Sequence, residues 1–124
     1  MSATRTVTET HHIDAARVQA WAELSGDFNR LHVDPDFAAT TPYGRCIAHG
    51  PLLASIVGEL VAEQAGPAWA SSSSLALRFV APVFVPSDVT IEVELADGSA
   101  QVTCTEQTGG IVLTAVARWQ DQTG

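Results

Sequence analysis

The pattern of hydrophobic and polar positions begins with a strand and a helix. Residues 5–11 alternate and are rich in β-branched types, which predicts a first strand. Three apolar residues then recur at helical spacing: Val18, Trp21 and Leu24. Asp14 precedes them as a candidate N-cap, and Gly26 follows them as a candidate C-terminal stop. A second, shorter helix is expected from Asp34-Pro35, with the proline at its first position.

The most apolar helical pattern of the chain begins at Gly50-Pro51, and Gly66-Pro67 ends it. Six apolar residues between them cover most of a helix circumference: Leu52, Leu53, Ile56, Val57, Leu60 and Val61. A helix that is apolar on most sides is normally surrounded by other structure. We therefore expect this helix to be buried.

The C-terminal half predicts strands. Four candidates are separated by proline and glycine: residues 75–80, 88–95, 100–106 and 111–119. Asp97-Gly98 and Gly109-Gly110 are hairpin signals, so the strands that they join should be antiparallel. One helix buried against a curved antiparallel sheet is an α+β layer architecture. Neither a repeat nor a linker divides the sequence, which predicts one domain over residues 1–124.

A polar segment between the predicted helices carries candidate chemistry: Ser25–Gly26–Asp27–Phe28–Asn29–Arg30–Leu31–His32. Because one helix stops at Gly26 and the next starts at Asp34, we expect Asp27 and His32 to share a loop. A carboxylate and an imidazole aimed at one water form a general acid–base pair. From the spacing alone, a capping role for Asp27 and a polar loop role for His32 remain the favoured alternative.

A second candidate feature is the sequence Ala48–His49–Gly50–Pro51. A glycine at the start of a buried helix lets a ligand approach closely, and the free amides and the positive end of the helix dipole favour a developing oxyanion. Pro51 has no N–H, so the Gly50 amide is the candidate donor. Taken alone, a simple helix-start turn is the better interpretation, and His49 is expected to be a buried, hydrogen-bonded orienting residue.

Other chemistries find little support in the sequence. Cys46 and His49 have ligand-like spacing, but no second pair completes a metal site. His11 and His12 lie side by side in a predicted strand, where neighbours point to opposite faces. Ser55 lacks the G-x-S-x-G context of a serine hydrolase, and the chain has no Gly-rich phosphate loop. We therefore expect neither a metal nor a cofactor.

These motifs together resemble the MaoC-like family of (R)-specific enoyl-CoA hydratases, which have a hotdog fold. The family pattern is a Gly/acidic–Asp–x–Asn–Pro–x–His loop, then a short acidic-proline helix, then His-Gly at the central helix. The chain matches it with Gly26–His32, Asp34-Pro35 and His49-Gly50, and Phe79–Val85 resembles the strand and bend that follow. The resemblance covers nearly the whole chain, and it implies a curved antiparallel sheet wrapped around a central helix.

The resemblance also implies roles for individual residues. Asp27 and His32 would hold and activate a water, one removing its proton and the other delivering a proton to the α-carbon. The Gly50 amide would polarise the thioester carbonyl, and Asn29 and His49 would support the site. The implied reaction is addition of water to the C2=C3 bond of an enoyl thioester, or its reverse. The substrate would be an acyl-CoA or an acyl-carrier-protein thioester.

Two positions depart from the family pattern. Arg30 stands where the motif has proline, so we expect a looser loop with an added charge beside the site. Gly58 stands where related hydratases often carry a serine that contacts the catalytic pair. The missing hydroxyl predicts less support for that pair, and the missing bulk predicts a wider acyl pocket.

Composition narrows the partners. The chain has a formal net charge of −8, with six arginines and no lysine. Phosphate backbones and anionic membranes require clustered positive charge, so neither nucleic acid nor a membrane is expected as a partner. Two cysteines without a disulfide pattern, and the absence of a signal-like apolar stretch, predict a cytoplasmic protein. A domain of this size buries only about two-thirds of its surface, so self-association would add useful burial. The resemblance to hotdog proteins implies a homodimer, in which two sheets join edge to edge around two helices.

Because the chain has few cationic side chains, only a few residues are candidates to bind the phosphates of CoA, and three arginines lie near the predicted site. Arg30 and Arg45 flank the catalytic and helix-start segments, and Arg78 lies near the strand and bend. We expect one or more of them to meet the phosphates of CoA. Two alternatives to a homodimeric hydratase remain open: an acyl-thioesterase on the same fold, and a subunit of a hetero-oligomeric hydratase.

Overall fold

Five strands form one antiparallel sheet in the order β1-β3-β4-β5-β2. The computed structural model describes residues 4–120. The strands are β1 (Arg5–Ile13), β2 (Ser73–Phe79), β3 (Ser87–Ala96), β4 (Ser99–Glu106) and β5 (Ile111–Trp119). The helices are α1 (Ala15–Ser25), α2 (Arg30–Val33), α3 (Pro35–Ala39), α4 (Gly50–Ala65) and α5 (Ala68–Ser71).

Helix α4 lies in the hydrophobic core of this sheet. All six apolar residues predicted to surround it are buried: Leu52, Leu53, Ile56, Val57, Leu60 and Val61. They join one cluster with the inward side chains of the strands, among them Val93 of β3 and Val102 of β4. Burying a side chain of this kind contributes about 1.5–3 kcal/mol relative to exposure. The α+β hotdog architecture, a curved sheet around a central helix, is thereby confirmed.

Local signals fix where α1 begins and ends. The Asp14 carboxylate accepts a hydrogen bond from the Arg17 amide at 2.9 Å, as an N-cap does. Gly26 has φ of 80°, in the left-handed region, and its amide donates to the Ala22 carbonyl at 2.8 Å. This left-handed stop turns the chain away from α1 and begins the polar segment that holds Asp27.

Several strand boundaries differ from the sequence prediction by one or two residues, and one short helix was not expected. Strand β1 continues to Ile13, and β2 begins at Ser73, so Ser73 and Ser74 pair with β5. Helix α5 was not predicted, because one turn of four residues leaves no periodic pattern.

Strand β2 is an edge of the sheet, since it pairs with β5 alone. Phe79 at its end and the adjoining Val80 are each about half exposed, at 53% and 52%. Tyr43 and Phe28, from the segments before α4, are also exposed, at 45% and 51%. Exposed apolar side chains therefore lie at the end of β2, whose outer edge has no partner strand among the described residues.

No helix within residues 4–120 combines the length and the apolar character that crossing a membrane requires.

Candidate active site

The loop between α1 and α2 is shaped by its own polar side chains. The Asn29 amide donates to Asp27 Oδ1 at 3.1 Å, and the Asp27 amide donates to Ser25 Oγ at 3.2 Å. Asn29 Oδ1 accepts from the Leu31 amide at 3.0 Å, which makes Asn29 the N-cap of α2. Asp27 thus does cap local backbone, while its side chain stays at the exposed surface.

His32 lies in the one-turn helix α2, so the expectation that it shares a loop with Asp27 was wrong. The cap at Asn29 starts helical structure one turn before the predicted restart at Asp34. Asp27 remains in the loop. The turn of helix nevertheless places a nitrogen of the His32 ring within 4.8 Å of an Asp27 carboxylate oxygen.

Arg30 occupies the first position of α2, where proline is favoured but not required. Its guanidinium lies 3.2 Å from Asp34 Oδ2 and 4.5 Å from the ring centroid of Phe37. The Phe37 amide, followed by the Arg30 charge and hydrogen bond, lowers the pKa of the Asp34 carboxyl below its ordinary value. The expected loosening of the loop by Arg30 is therefore not found, because this side chain ties α2 to α3.

The backbone fixes the tautomer of His32. Its Nδ1 lies 2.7 Å from the carbonyl oxygen of Ile47. Because a carbonyl can only accept, Nδ1 carries the hydrogen, and Nε2 of the neutral ring carries a lone pair. Ile47 is itself placed by its amide, which donates to the Leu31 carbonyl at 3.3 Å. His32, half-buried, is thus prepared to accept a proton at Nε2.

His49 connects the two candidate catalytic residues. The side chain is 1% exposed, and its Nε2 donates to the backbone carbonyl of Asp27 at 2.9 Å. Its ring centroid lies 3.9 Å from that of His32, with 30° between the ring planes. The expectation of a buried, hydrogen-bonded histidine is met. The contact with the His32 ring was not predicted, and the only sequence signal for it was the Ala48–His49–Gly50 motif.

The structure brings Asp27, His32 and His49 together, with one nitrogen or oxygen of each inside a mutual distance of 4.8 Å. Such a set can hold a metal in principle. Here each ring already donates one N–H to a carbonyl oxygen, and the two rings lie face to face with a tilt of 30°. A single ion about 2.0–2.1 Å from a nitrogen of each ring would require one ring to rotate, because a ligating lone pair lies in its ring plane. The arrangement suits proton transfer better than metal ligation.

Gly50 is the first residue of α4, next to this cluster. The first amides of a helix have no acceptor within the helix itself. Within residues 4–120, no side chain accepts from them at the start of α4. A Cβ atom on Gly50 would lie 3.4 Å from two ring carbons of Phe79. A side chain at position 50 would therefore fill the space between the start of α4 and Phe79, which glycine leaves unfilled. A shallow apolar groove of about 310 Å³ runs past Gly50 and is also lined by Tyr43, Leu53 and Val80.

Gly58 does not adjoin this cluster. It follows Gly50 by eight residues, which is about 12 Å along a helix. A Cβ atom there would meet one neighbour within 4 Å, the Leu75 side chain of β2 at 3.8 Å. Within one chain, a serine at position 58 would therefore face β2, and the expected loss of support for the candidate pair stays a prediction. The space beside Leu75 remains consistent with a wider pocket.

The three candidate arginines lie in different places. Arg45 lines a cavity of about 630 Å³ together with His32 and Cys46, and it donates to the Pro86 carbonyl at 3.0 Å. Arg78 lines a different groove, on the outer face of β2, β4 and β5 beside Thr114. Because alternate residues of a strand point to opposite faces, Arg78 points away from α4 while Phe79 points toward it. The structure therefore separates Arg78 from the candidate site within one chain.

The two cysteines are free and buried. Burial, and to a smaller degree the charge of Asp34, raises the pKa of the Cys46 thiol. Burial raises the pKa of Cys104 to about 11. A thiol with a raised pKa is a poor nucleophile at neutral pH, so neither cysteine competes with the Asp27–His32 pair as the reactive group.

The sequence profile of the MaoC like domain family matches residues 2–117. The chain belongs to this family. The chain is similar to a solved structure of an (R)-hydratase from Aeromonas caviae. The two superpose with a TM-score of 0.79 and 36% sequence identity, over 97% of this chain and 98% of the other.

Curated relatives of the chain are named as a hydratase and a dehydratase of CoA thioesters. An (R)-specific enoyl-CoA hydratase of Aeromonas caviae is 49% identical over 81 residues, which cover 65% of this chain and 60% of that enzyme. A 3-hydroxybutyryl-CoA dehydratase of Methylorubrum extorquens is 33% identical over 106 residues, which cover 82% of this chain and 68% of that enzyme. The first alignment thus spans less than two-thirds of the relative's length.

Proposed function

We propose that this chain is an (R)-specific hydratase/dehydratase, a carbon–oxygen lyase that adds water to the C2=C3 bond of an enoyl-CoA or removes it from an (R)-3-hydroxyacyl-CoA. One observation carries the proposal: the His32 ring is held with a lone pair on Nε2, within a few ångströms of Asp27 and beside an uncapped helix start at Gly50. The similarity to the Aeromonas caviae (R)-hydratase supports the assignment.

The proposed reaction needs a proton acceptor, a proton donor and a partner for negative charge. Water positioned by Asp27 gives a proton to His32 Nε2 while its oxygen bonds to C3. The electrons of the C2=C3 bond move toward the thioester oxygen, where the Gly50 amide and the positive end of α4 stabilise the charge. C2 then takes a proton from the Asp27–His32 pair, on the same face, which restores the thioester.

The function is tested with a panel of enoyl-CoA substrates of different chain length. We expect the absorbance of the conjugated thioester to fall and the (R)-3-hydroxyacyl-CoA product to form. A parallel assay with a thiol reagent distinguishes the thioesterase alternative, which would release free CoA. An unchanged panel, or release of CoA without hydration, would contradict the hydratase assignment.

We propose further that the working form is a homodimer joined along the β2 edges. The open edge of β2, with exposed Phe79 and Val80 beside it, is a surface that a second copy can cover. Because this edge lies next to Gly50, the second copy would enclose the apolar groove. Sedimentation at micromolar concentration should give twice the chain mass of 13.1 kDa. A monomer that becomes active only with a second, related chain would instead favour the hetero-oligomeric alternative.

Of the three candidate arginines, we propose that Arg45 is the one that meets the phosphates of CoA. It shares a cavity with His32, whereas Arg30 is engaged by Asp34 and Arg78 lies on the outer face of the sheet. Arg45→Ala should raise KM for CoA substrates and leave kcat nearly unchanged, and Arg78→Ala is the matched control. Equal effects of the two variants would contradict this choice.

We also propose the cytoplasmic location that composition predicts.

A further inference from the structure

His49 belongs to the N-terminus of α4, yet its side chain does not serve that helix. An N-cap side chain ordinarily accepts hydrogen bonds from the first amides of its own helix. His49, the N-cap of α4, makes no such bond among the described residues, and its Nε2 instead donates to Asp27, 22 residues earlier. The first turn of α4 is thereby left open to a ligand, and the histidine is directed at the loop that precedes α2.

We propose that His49 is a positioning residue, which holds Asp27 and His32 in their working arrangement. The proposal rests on the proposed hydratase function and adds to it a residue that touches neither water nor substrate. Two separate contacts carry it, one to each member of the pair.

The first contact fixes the loop that carries Asp27. Among residues 4–120, the other hydrogen bonds of Asp27 join it to Ser25 and Asn29, both within the same loop. Such bonds set the shape of the loop but not its distance from α4. The bond from His49 Nε2 to the Asp27 carbonyl is the tie between the loop and the helix start at Gly50. A misplacement of about 1 Å can lower a rate about 100-fold, so this tie matters for catalysis.

The second contact fixes the plane of the His32 ring. The bond from His32 Nδ1 to Ile47 holds one edge of that ring but does not pack against either of its faces. The His49 ring, with its centroid 3.9 Å away and its plane tilted by 30°, packs against one face of His32 and limits how far that ring can tilt. His49 Nδ1 is buried with no hydrogen-bond partner among the described residues. An unpaired polar atom in a buried position is unfavourable, and such a residue is retained more readily for a role than for stability.

Two substitutions separate these contacts. His49→Gln keeps an N–H donor near the position of Nε2 and removes the ring, whereas His49→Phe keeps a ring and removes the donor. We expect kcat of His49→Phe to fall about 100-fold with KM changed only severalfold, and kcat of His49→Gln to fall about tenfold. A role in filling space alone predicts the reverse order, because phenylalanine is the better apolar filler.

Stability is monitored so that partial unfolding is not mistaken for loss of positioning. Rates are divided by the folded fraction, and Val93→Ala, a core change in β3 away from the site, serves as the destabilised control with unchanged kcat per folded molecule. Equal kcat losses in the two His49 variants, or kcat within threefold of wild type in His49→Phe, would overturn the proposal.

Hydrogen exchange gives a readout that does not depend on activity. In His49→Phe, the amides of Asp27 and Asn29 should exchange about tenfold faster than in wild type, while His49→Gln should stay close to wild type. Unchanged exchange in His49→Phe would overturn the positioning role. Failure of the wild-type protein to hydrate any enoyl-CoA would contradict the proposed function instead. The exchange measurement therefore tests the positioning role in either case.

Discussion

The centre of the sheet and the segment from residue 26 to residue 50 are held together by different interactions. In β3 and β4, backbone groups pair with each other in register, and alternate side chains enter the core. In the segment that carries the candidate site, side chains pair with backbone: Asn29 caps α2, His32 donates to Ile47, and His49 donates to Asp27. The first region derives its stability from burial, and the second derives its shape from a few directional contacts. Substitutions should therefore separate stability from activity.

The largest effect on activity is expected at His32. His32→Asn keeps an N–H that can donate to Ile47, as Nδ1 does, and removes the lone pair of Nε2. Because general base catalysis is worth about 100- to 10,000-fold, kcat should fall by a factor in that range. The free energy of unfolding, measured by urea titration, should change little. A variant with nearly full kcat would show that His32 is not the proton acceptor.

The opposite pattern is expected at Val93, which is fully buried in β3. Val93→Ala removes two methyl groups from the core and leaves a cavity, so the free energy of unfolding should fall by about 2–3 kcal/mol. The kcat per folded molecule should match that of wild type. A substantial loss of kcat in fully folded protein would show that packing in the sheet also determines the geometry of the site, which contradicts the separation of stability from activity.

Asn29 tests the boundary between the two kinds of region. Asn29→Ala removes the N-cap of α2, which should lower the free energy of unfolding by about 1 kcal/mol. Because α2 carries His32, kcat should fall as well. Asn29→Asp is the matched control, since a carboxylate oxygen can still accept from the Leu31 amide. Equal kcat in the two variants would indicate that the cap has no part in placing His32.

The smallest effect is expected on the free energy of unfolding at acid pH, when the Asp34 carboxylate is protonated. Its pKa in the folded protein lies below 3.8, because it accepts from the Phe37 amide and pairs with Arg30. A carboxyl with a lowered pKa contributes stability that is present above the ordinary value and is lost as the pH falls through the folded value. Urea titrations between pH 2 and pH 6 should therefore show a loss in wild type below about pH 3.8 that is absent in Asp34→Asn. Parallel pH profiles would contradict this role.

The sheet and α4 could be predicted from the sequence because alternation, helical periodicity and turn residues are local signals. Asp27, His32 and Gly50 were found through their resemblance to a family motif, not through spacing, which favoured a structural role for the first two. The pairing of His49 with Asp27 spans 22 residues, and no local pattern encodes it. The outward direction of Arg78 depended on the register of β2, which only the paired sheet defines.

The central claim is that the Asp27–His32 pair hydrates an enoyl thioester, and Asp27→Asn tests it most directly. Asparagine keeps an oxygen that can accept from the Asn29 amide, so the loop should keep its shape, and the exposed position predicts a stability change within about 0.5 kcal/mol. The initial rate of enoyl-CoA hydration by purified wild type and Asp27→Asn is the measurement. We predict that kcat falls at least about 100-fold. A variant that hydrates the substrate at the full wild-type rate would contradict the claim.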